Sequence, residues 1–182
     1  LWWGVFENEY TQKETSVRPS LKVTADLTDW LKFSVEGNYN YYYKRDEAKE
    51  LGAGYANEGG YYRMGLYTKE QTNMNANLTF NKDFNDWNIN GFVRGEYYNN
   101  FEKAMSMNTS GGLIVPGQYF INNSKNTPGY SGKISGEKTI MSVAGQIAAS
   151  WKNQVFLDVT GRNDWSSALV YADGHGNYSY FY

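Results

Sequence analysis

The sequence predicts an all-β fold: a sector of a large antiparallel transmembrane β-barrel with about six long strands, short periplasmic turns and long extracellular loops. Three observations predict it. Apolar and polar residues alternate with a period of two, which gives a strand one dry and one wet face. The alternating stretches are long: 31–43 would extend about 40 Å at ~3.3 Å per residue, whereas globular strands usually have about five or six residues. Finally, short and long connections alternate along the chain, as they do in outer-membrane barrels.

The clearest alternation forms the first predicted hairpin, from 17 to 43. Its odd positions form one set: Val17, Pro19, Leu21, Val23, Ala25 and Leu27, then Leu31, Phe33, Val35, Gly37, Tyr39, Tyr41 and Tyr43. The even positions between them are polar apart from Trp30 and Tyr42. The break at Thr28–Asp29 predicts a tight turn.

The same pattern predicts four more strands and three long loops. The further strands are 71–84, 87–97, 138–151 and 154–162, with turns at 85–86 and 152–153; the loops are 44–60, 102–135 and 163–179. We expect 1–14 to be a strand end followed by a loop, and 61–67 to extend the next strand or to cap the preceding loop. On this prediction, arginine at Val35 or Val143 should be costly, whereas arginine at Asn38 or Ser142 should be tolerated.

Each short turn carries a tryptophan, namely Trp30, Trp87 and Trp151. Aromatic girdles mark both interfaces of membrane barrels, so three turn tryptophans are typical of the inner girdle. The alternative is that they cap the core of a soluble β-sandwich, but sandwich strands are shorter and their turns do not sort into two length classes. Six strands cannot enclose a lumen, because small closed barrels begin near eight. The chain is therefore predicted to be a sector of a wider wall.

Composition excludes several classes of protein. The net charge is −2 with no basic patch, so no nucleic-acid partner is expected. The absence of cysteine excludes disulfides and cysteine-ligated metals. No run of eighteen apolar residues exists, which excludes helical membrane spans. We find no catalytic set, and the sole histidine, His175, cannot build a zinc site with its neighbours. We therefore expect no enzyme activity, cofactor or metal.

Three segments resemble the barrel of SusC-like (RagA/SusC-type) TonB-dependent transporters of Bacteroidetes outer membranes. They are Gly161-Arg162-Asn163-Asp164-Trp165-Ser166-Ser167 followed by Tyr178-Ser179-Tyr180-Phe181-Tyr182, the loop segment Val115-Pro116-Gly117-Gln118-Tyr119-Phe120-Ile121-Asn122-Asn123, and the turn Asp29-Trp30-Leu31. The resemblance covers nearly the whole chain.

The resemblance implies a 22-stranded barrel with an internal plug, driven by TonB and covered by a SusD-like surface lipoprotein, that imports oligosaccharides or, less often, peptides. The chain starts at Leu1 without a methionine and ends on aromatic residues, so we expect residues 1–182 to be a partial β-barrel domain, with the plug and the remaining strands absent. TonB would act through that absent plug, and outer-membrane lipid would surround the wall.

Polar and aromatic side chains are the candidates for contact with cargo, since sugars offer both hydroxyl groups and apolar C–H faces. In the long loop they are Tyr119, Asn122 and Asn123, and on the wet parity they are Arg94, Glu96, Asp158 and Arg162. The alternative for the wall residues is that they hydrate the lumen or brace the plug. Asp158 and Arg162 lie four positions apart, about 13 Å along a strand, so they should find partners on adjacent strands or on the plug.

Two other functions remain open from the sequence. One is an outer-membrane adhesin whose tyrosine-rich loops bind a partner. The other is a soluble secreted carbohydrate-binding β-domain, which would need no detergent.

Overall fold

The computed structural model describes residues 8–51 and 57–169, and it is an all-β structure built on one antiparallel sheet of seven strands. The strands are β1 (Glu9–Val17), β2 (Ser20–Thr28), β3 (Leu31–Glu50), β4 (Tyr61–Phe84), β5 (Trp87–Leu113), β6 (Ser124–Trp151) and β7 (Val155–Ser166). The sheet order is β1-β3-β4-β5-β6-β7, and β2 also pairs with β3. Two short 3₁₀ helices, Ile121–Asn123 and Ser167–Leu169, complete the described elements.

The three short turns are confirmed. The last one has the geometry of a type I′ hairpin: Lys152 and Asn153 have φ of 51° and 55°, and the Gln154 N–H donates to the Trp151 carbonyl at 2.9 Å. Type I′ turns match the twist of the flanking strands, which is why they close two-residue hairpins. At 85–86, Asn85 takes the positive φ of 51°, a conformation that asparagine tolerates better than most residues.

The strands extend much further than the alternation predicts. The predicted loops 44–60 and 102–135 are wrong in large part, because β3 continues to Glu50, β5 continues to Leu113 and β6 begins at Ser124. The opening, 1–14, is expected from the sequence to be a strand end followed by a loop, but from Glu9 onward it is strand β1. Both faces of these extensions carry polar residues, so the period-two signal is lost even though the backbone pairing persists. The connections at that end, 51–60 and 114–123, are still longer than the turns at the other end.

The chain forms two compact units. Unit 1 comprises Leu1–Val17, Tyr41–Glu70 and Phe101–Gly136, and unit 2 comprises Arg18–Asn40, Gln71–Asn100 and Glu137–Tyr182. Several sequence predictions lie outside the described residues. They are the aromatic opening at 1–6, the sole histidine, most of the loop 163–179 and the aromatic restart at 178–182.

Unit 1 contains the buried apolar side chains of the described residues: Ala48, Tyr62 and Leu113. Tyr62 and Thr109 pair closely, since the Tyr62 N–H donates to the Thr109 hydroxyl at 3.0 Å and this hydroxyl donates to the Tyr62 carbonyl at 3.3 Å. The connections pack against each other as well: the Leu113 N–H donates to the Glu58 carbonyl at 3.2 Å.

Three hydrogen-bonded side chains, Arg45, Glu47 and Tyr62, lie beside this small core. Glu47 accepts hydrogen bonds from Arg45 and from the Tyr62 hydroxyl, the latter at 2.9 Å. Burial acts to raise the pKa of Glu47, but the two donors outweigh it, so the pKa lies below its ordinary value. The pKa of Tyr62 is raised, first by burial and then by the hydrogen bond to Glu47.

Unit 2 has one face of apolar side chains that remains exposed. These side chains are Leu21, Val23, Phe33, Val35, Met74, Val93, Met141, Val143, Ile147, Val155, Leu157 and Val159. Within the β2–β3 and β6–β7 hairpins the register places these side chains side by side, since Val23 lies opposite Val35 and Ile147 lies opposite Val159. No second sheet or long helix packs on this face within the two described segments. Among the same residues, no helix is long and apolar enough to cross a membrane.

Candidate ligand-facing surface

The opposite face of unit 2 is polar, and Arg162 on β7 lies at the centre of its densest charge network. Its guanidinium contacts Glu96 at 2.9 Å, Asp164 at 2.9 Å and the Ser142 hydroxyl at 3.1 Å. Glu96 is on β5, two strands away, so Arg162 reaches across β6. Ser142 lies beneath it and is only 4% exposed. The network therefore ties three strands together on one face.

Arg94 extends this network on β5. Its Nε atom is 3.5 Å from a Glu96 oxygen, close enough for an ion pair, yet it is buried without a geometrically acceptable hydrogen bond. Arg94, Glu96 and Arg162 are therefore brought together as the sequence analysis placed them, on one wet face. Their side chains are 30–50% exposed, so a solute could reach them.

Asp158 is separate from this network. Its carboxylate accepts a hydrogen bond from the Gln146 amide at 2.6 Å, on the neighbouring strand β6. The prediction that Asp158 and Arg162 find partners on adjacent strands is confirmed, since each contacts β6.

A second polar network could not be predicted from the alternation. The Arg18 Nε donates to Asn40 at 3.2 Å, the Asn40 amide donates to Gln71 at 3.0 Å, and the Gln71 amide donates to the Tyr98 hydroxyl at 3.2 Å. This chain of side-chain hydrogen bonds crosses from the residues before β2 to β5. Its members share the wet parity of their strands, but their alignment depends on the β3–β4 and β4–β5 registers, which the alternation does not specify.

The loop 114–123 in unit 1 is held by Asn123. Its buried amide donates to the carbonyls of Val115 and Gln118 at 2.8 and 2.6 Å, and its side-chain oxygen accepts from the Val115 N–H at 3.0 Å. Both amide hydrogens and the oxygen are therefore engaged within the loop. Asn122 is exposed and Tyr119 is half-buried, so these two lie nearer to solvent than Asn123 does.

Aromatic residues lie at both limits of the apolar face of unit 2. Trp30, Trp87 and Trp151 are at the short turns and are partly exposed. Tyr39 and Tyr97 follow the first two by nine and ten positions, and Trp165 lies opposite Met141, ten positions before Trp151. For strands tilted by about 40° and rising ~3.3 Å per residue, this spacing corresponds to about 23–25 Å, close to the ~25 Å apolar band of membrane barrels. We call Trp30, Trp87 and Trp151 the inner belt and Tyr39, Tyr97 and Trp165 the outer belt.

Side chains that could hold a metal do not cluster in the part of the chain that the structure describes, where no group of three histidine, cysteine or acidic residues occurs. The geometry here is that of a wall with two chemically different faces.

The fold has counterparts among solved structures. The chain is similar in fold to the RagAB peptide transporter. One structure of that transporter superposes with a TM-score of 0.75 at 11% identity, over 87% of this chain and 18% of the other. Structures of the RagAB peptide importer in its closed-closed and open-open states give TM-scores of 0.72 and 0.71, each at 14% identity over 88% of this chain and 18% of the other.

These likenesses are likenesses of fold. This chain spans about 18% of the length of the RagAB chains that it matches. No family model matches the sequence, and no curated protein does either. The similar structures are those of a transporter, and their matching parts share the antiparallel sheet described above.

Proposed function

We propose that this chain is a sector of the barrel wall of a TonB-dependent outer-membrane importer of oligosaccharides or peptides that works with a SusD-like surface lipoprotein. The observation that carries the proposal is the exposed apolar face of unit 2, bounded by the inner and outer belts. A soluble protein would leave that face in water at a large free-energy cost, since each Å² of apolar surface contributes about 25 cal/mol when it is removed from water. Outer-membrane lipid would cover it.

The opposite face supports a wet lumen. Arg94 pairs with Glu96 within β5, Arg162 pairs with Asp164 within β7, and the Arg162–Glu96 ion pair joins the two strands. All four side chains remain partly open to solvent. A charged network of this kind is stable in a hydrated interior, because water and neighbouring charges satisfy it. In this proposal residues 1–182 form a partial barrel domain. The rest of the protein would supply the remaining strands and the plug, through which TonB acts.

The cargo assignment rests on two sources. The sequence resembles SusC-like transporters, for which oligosaccharides are the usual cargo, and the fold is similar to a peptide transporter. In this proposal Arg94, Glu96, Asp158 and Arg162 line the path, whereas Tyr119 and Asn122 lie on the loop that cargo or the lipoprotein would meet. Asn123 would shape that loop rather than touch cargo, since its amide is fully engaged. No reaction is catalysed in this proposal.

Uptake by the complete protein tests the proposal. We expect the protein to fractionate with outer membranes, to require detergent for extraction, and to support TonB-dependent growth on an oligosaccharide or peptide that the deletion strain cannot use. A protein recovered in the soluble fraction would contradict the membrane assignment. A membrane protein whose deletion abolishes cell adhesion but no nutrient uptake would instead identify the adhesin alternative.

Arg162→Gln provides a sharper variant, because it removes the charge that joins Glu96 to Asp164. We expect it to reduce uptake while the yield of folded barrel stays near that of the wild type. Lys32→Gln is a matched control: it also removes one cation from a cross-strand ion pair, with Asp26 at 3.2 Å, but that pair lies beside a turn.

A further inference from the structure

Lys13 on β1 and Arg45 on β3 are direct cross-strand partners of like charge. Where β3 pairs with β1 and β2, the other directly opposite pairs of charged residues all join opposite signs: Glu9 with Lys49, Glu14 with Lys44, Lys22 with Glu36, and Asp26 with Lys32. Like charges directly opposite each other destabilise a sheet. The Lys13–Arg45 pair is therefore an exception to the charge pairing along this strand, and an anion would relieve it.

The two cations can converge on one ligand. Directly opposite residues place their Cβ atoms about 4.5–5.5 Å apart on the same face, and both residues are exposed. Lys13 makes no hydrogen bond or ion pair within the described residues. Arg45 gives one terminal nitrogen to Glu47 and also interacts with the Tyr62 hydroxyl. Since a guanidinium carries five N–H donors, others remain for a further acceptor.

The neighbouring pairs on this face indicate where it lies. Arg45 has the same parity as Tyr41 and Tyr43, the parity that the sequence analysis predicts to face lipid. The successive pairs along it are Val17 with Tyr41, Thr15 with Tyr43 and then Lys13 with Arg45. This order, from apolar and aromatic residues to cations, is typical of residues passing from the membrane interface to the level of lipid headgroups.

We propose that Lys13 and Arg45 bind the phosphate of an anionic lipid headgroup on the outer surface of the barrel. The inference rests on the proposed function, because it requires this face to border the membrane. A phosphate suits the pair, since guanidinium groups bind its oxygens in a fork and an ammonium group adds a second charge. The tyrosine pairs directly before it on the same face favour a lipid phosphate over a free one.

Native mass spectrometry of the complete protein, purified in a neutral detergent and titrated with phosphatidylglycerol, tests this site. We expect Lys13→Gln/Arg45→Gln to weaken binding of the tightest lipid about 30-fold, or about fivefold per cation. Lys44→Gln/Lys49→Gln is the matched control: it also removes two cations, both from β3. Each of these lysines lies opposite an acid, Glu14 or Glu9, so we expect little change in lipid binding. The single variant Lys13→Gln, at an exposed position, should still bind this lipid about fivefold more weakly than the wild type.

Three results would overturn the inference. Equal weakening in both double variants would mean that net charge alone attracts lipid. Unchanged binding in Lys13→Gln would mean that the pair does not form the site. Displacement of the lipid by equimolar inorganic phosphate would identify a free-anion site instead. A wild-type protein that is soluble without detergent would refute the proposed function, whereas a detergent-requiring barrel with unchanged lipid binding would refute this inference alone.

Discussion

Arginine at Ile147 provides the most direct test of the lipid-facing assignment. Ile147 is 57% exposed on the apolar face and lies four positions before Trp151 of the inner belt. Four residues at ~3.3 Å, tilted by about 40°, place it ~10 Å into an apolar band ~25 Å tall. A position this near the midplane should make Ile147→Arg cost about 2–4 kcal/mol.

Depth and face provide two internal controls. The alternation alone predicts that arginine at Val143 is costly, but Val143 lies eight positions from Trp151, ~20 Å into the band and near its far interface. Because the penalty falls toward the interfaces, Val143→Arg should cost only about 1 kcal/mol. Gln146 is adjacent to Ile147 on the opposite face, where its amide contacts Asp158 at 2.6 Å. Gln146→Arg would place a cation beside that carboxylate and should be nearly neutral.

The assay is the free energy of folding of the complete protein into phospholipid vesicles, measured by urea titration, together with the yield of folded protein in outer membranes. The expected order of cost is Ile147→Arg, then Val143→Arg, then Gln146→Arg. Equal costs for Ile147→Arg and Gln146→Arg would refute the assignment of faces. A larger cost at Val143 than at Ile147 would refute the depth derived from the two belts.

Three further predictions concern unit 1. Asn123→Ala should cost about 2–3 kcal/mol, because it leaves the backbone groups of 115–118 without partners, and it should speed amide exchange in the loop, whereas Asn122→Ala should not. Burial acts to raise the pKa of Glu47, but the hydrogen bonds from Arg45 and Tyr62 outweigh it, so the pKa lies below its ordinary value. The ionised carboxylate therefore stabilises the fold fully above about pH 4.3, and this contribution is lost as the pH falls through the lowered pKa. Glu47→Gln should consequently make the melting temperature fall less steeply between neutral and acid pH. Gly112→Ala should reduce the yield of folded protein sharply, since φ is +95° and a Cβ would lie 2.0 Å from the Glu58 carbonyl oxygen.

Matched variants separate these effects from general damage. Glu137→Gln removes an exposed carboxylate that has no ion pair within the described residues, so a flattened acid limb in both variants would contradict the role of Glu47. Gly37→Ala adds a methyl group in open space, and a loss of folded protein equal to that of Gly112→Ala would contradict the steric argument. Unchanged exchange in Asn123→Ala would show that its amide does not hold the loop.

The alternation of side chains determined much of unit 2 in advance. From Leu21 to Val35 the odd positions are apolar except for Asp29 in the turn, and the structure places these apolar residues together on one face. The turns at 85–86 and 152–153 followed from asparagine, aspartate and lysine between two apolar runs. Period two is a local property, so a single strand already specifies which residues share a face.

The strand register, the ends of the strands and the burial of individual side chains could be determined only from the tertiary structure. The alternation predicts that Ser142 tolerates arginine, but in the structure Ser142 is only 4% exposed. It lies beneath Arg162, which also contacts Glu96, because β5, β6 and β7 align there. Likewise, a polar residue such as Asn123 would be expected on the surface from the sequence. In the structure its side chain is buried and its amide holds the loop by hydrogen bonds to the backbone.

The sequence by itself therefore determined the strand type, the two faces and the short turns, since each depends on neighbouring residues. Only the tertiary structure decided how far the strands run, which charges meet across them, and that Lys13 faces Arg45. Pairing between strands depends on contacts that are distant in sequence, and a shift of one residue in register would exchange the two faces entirely.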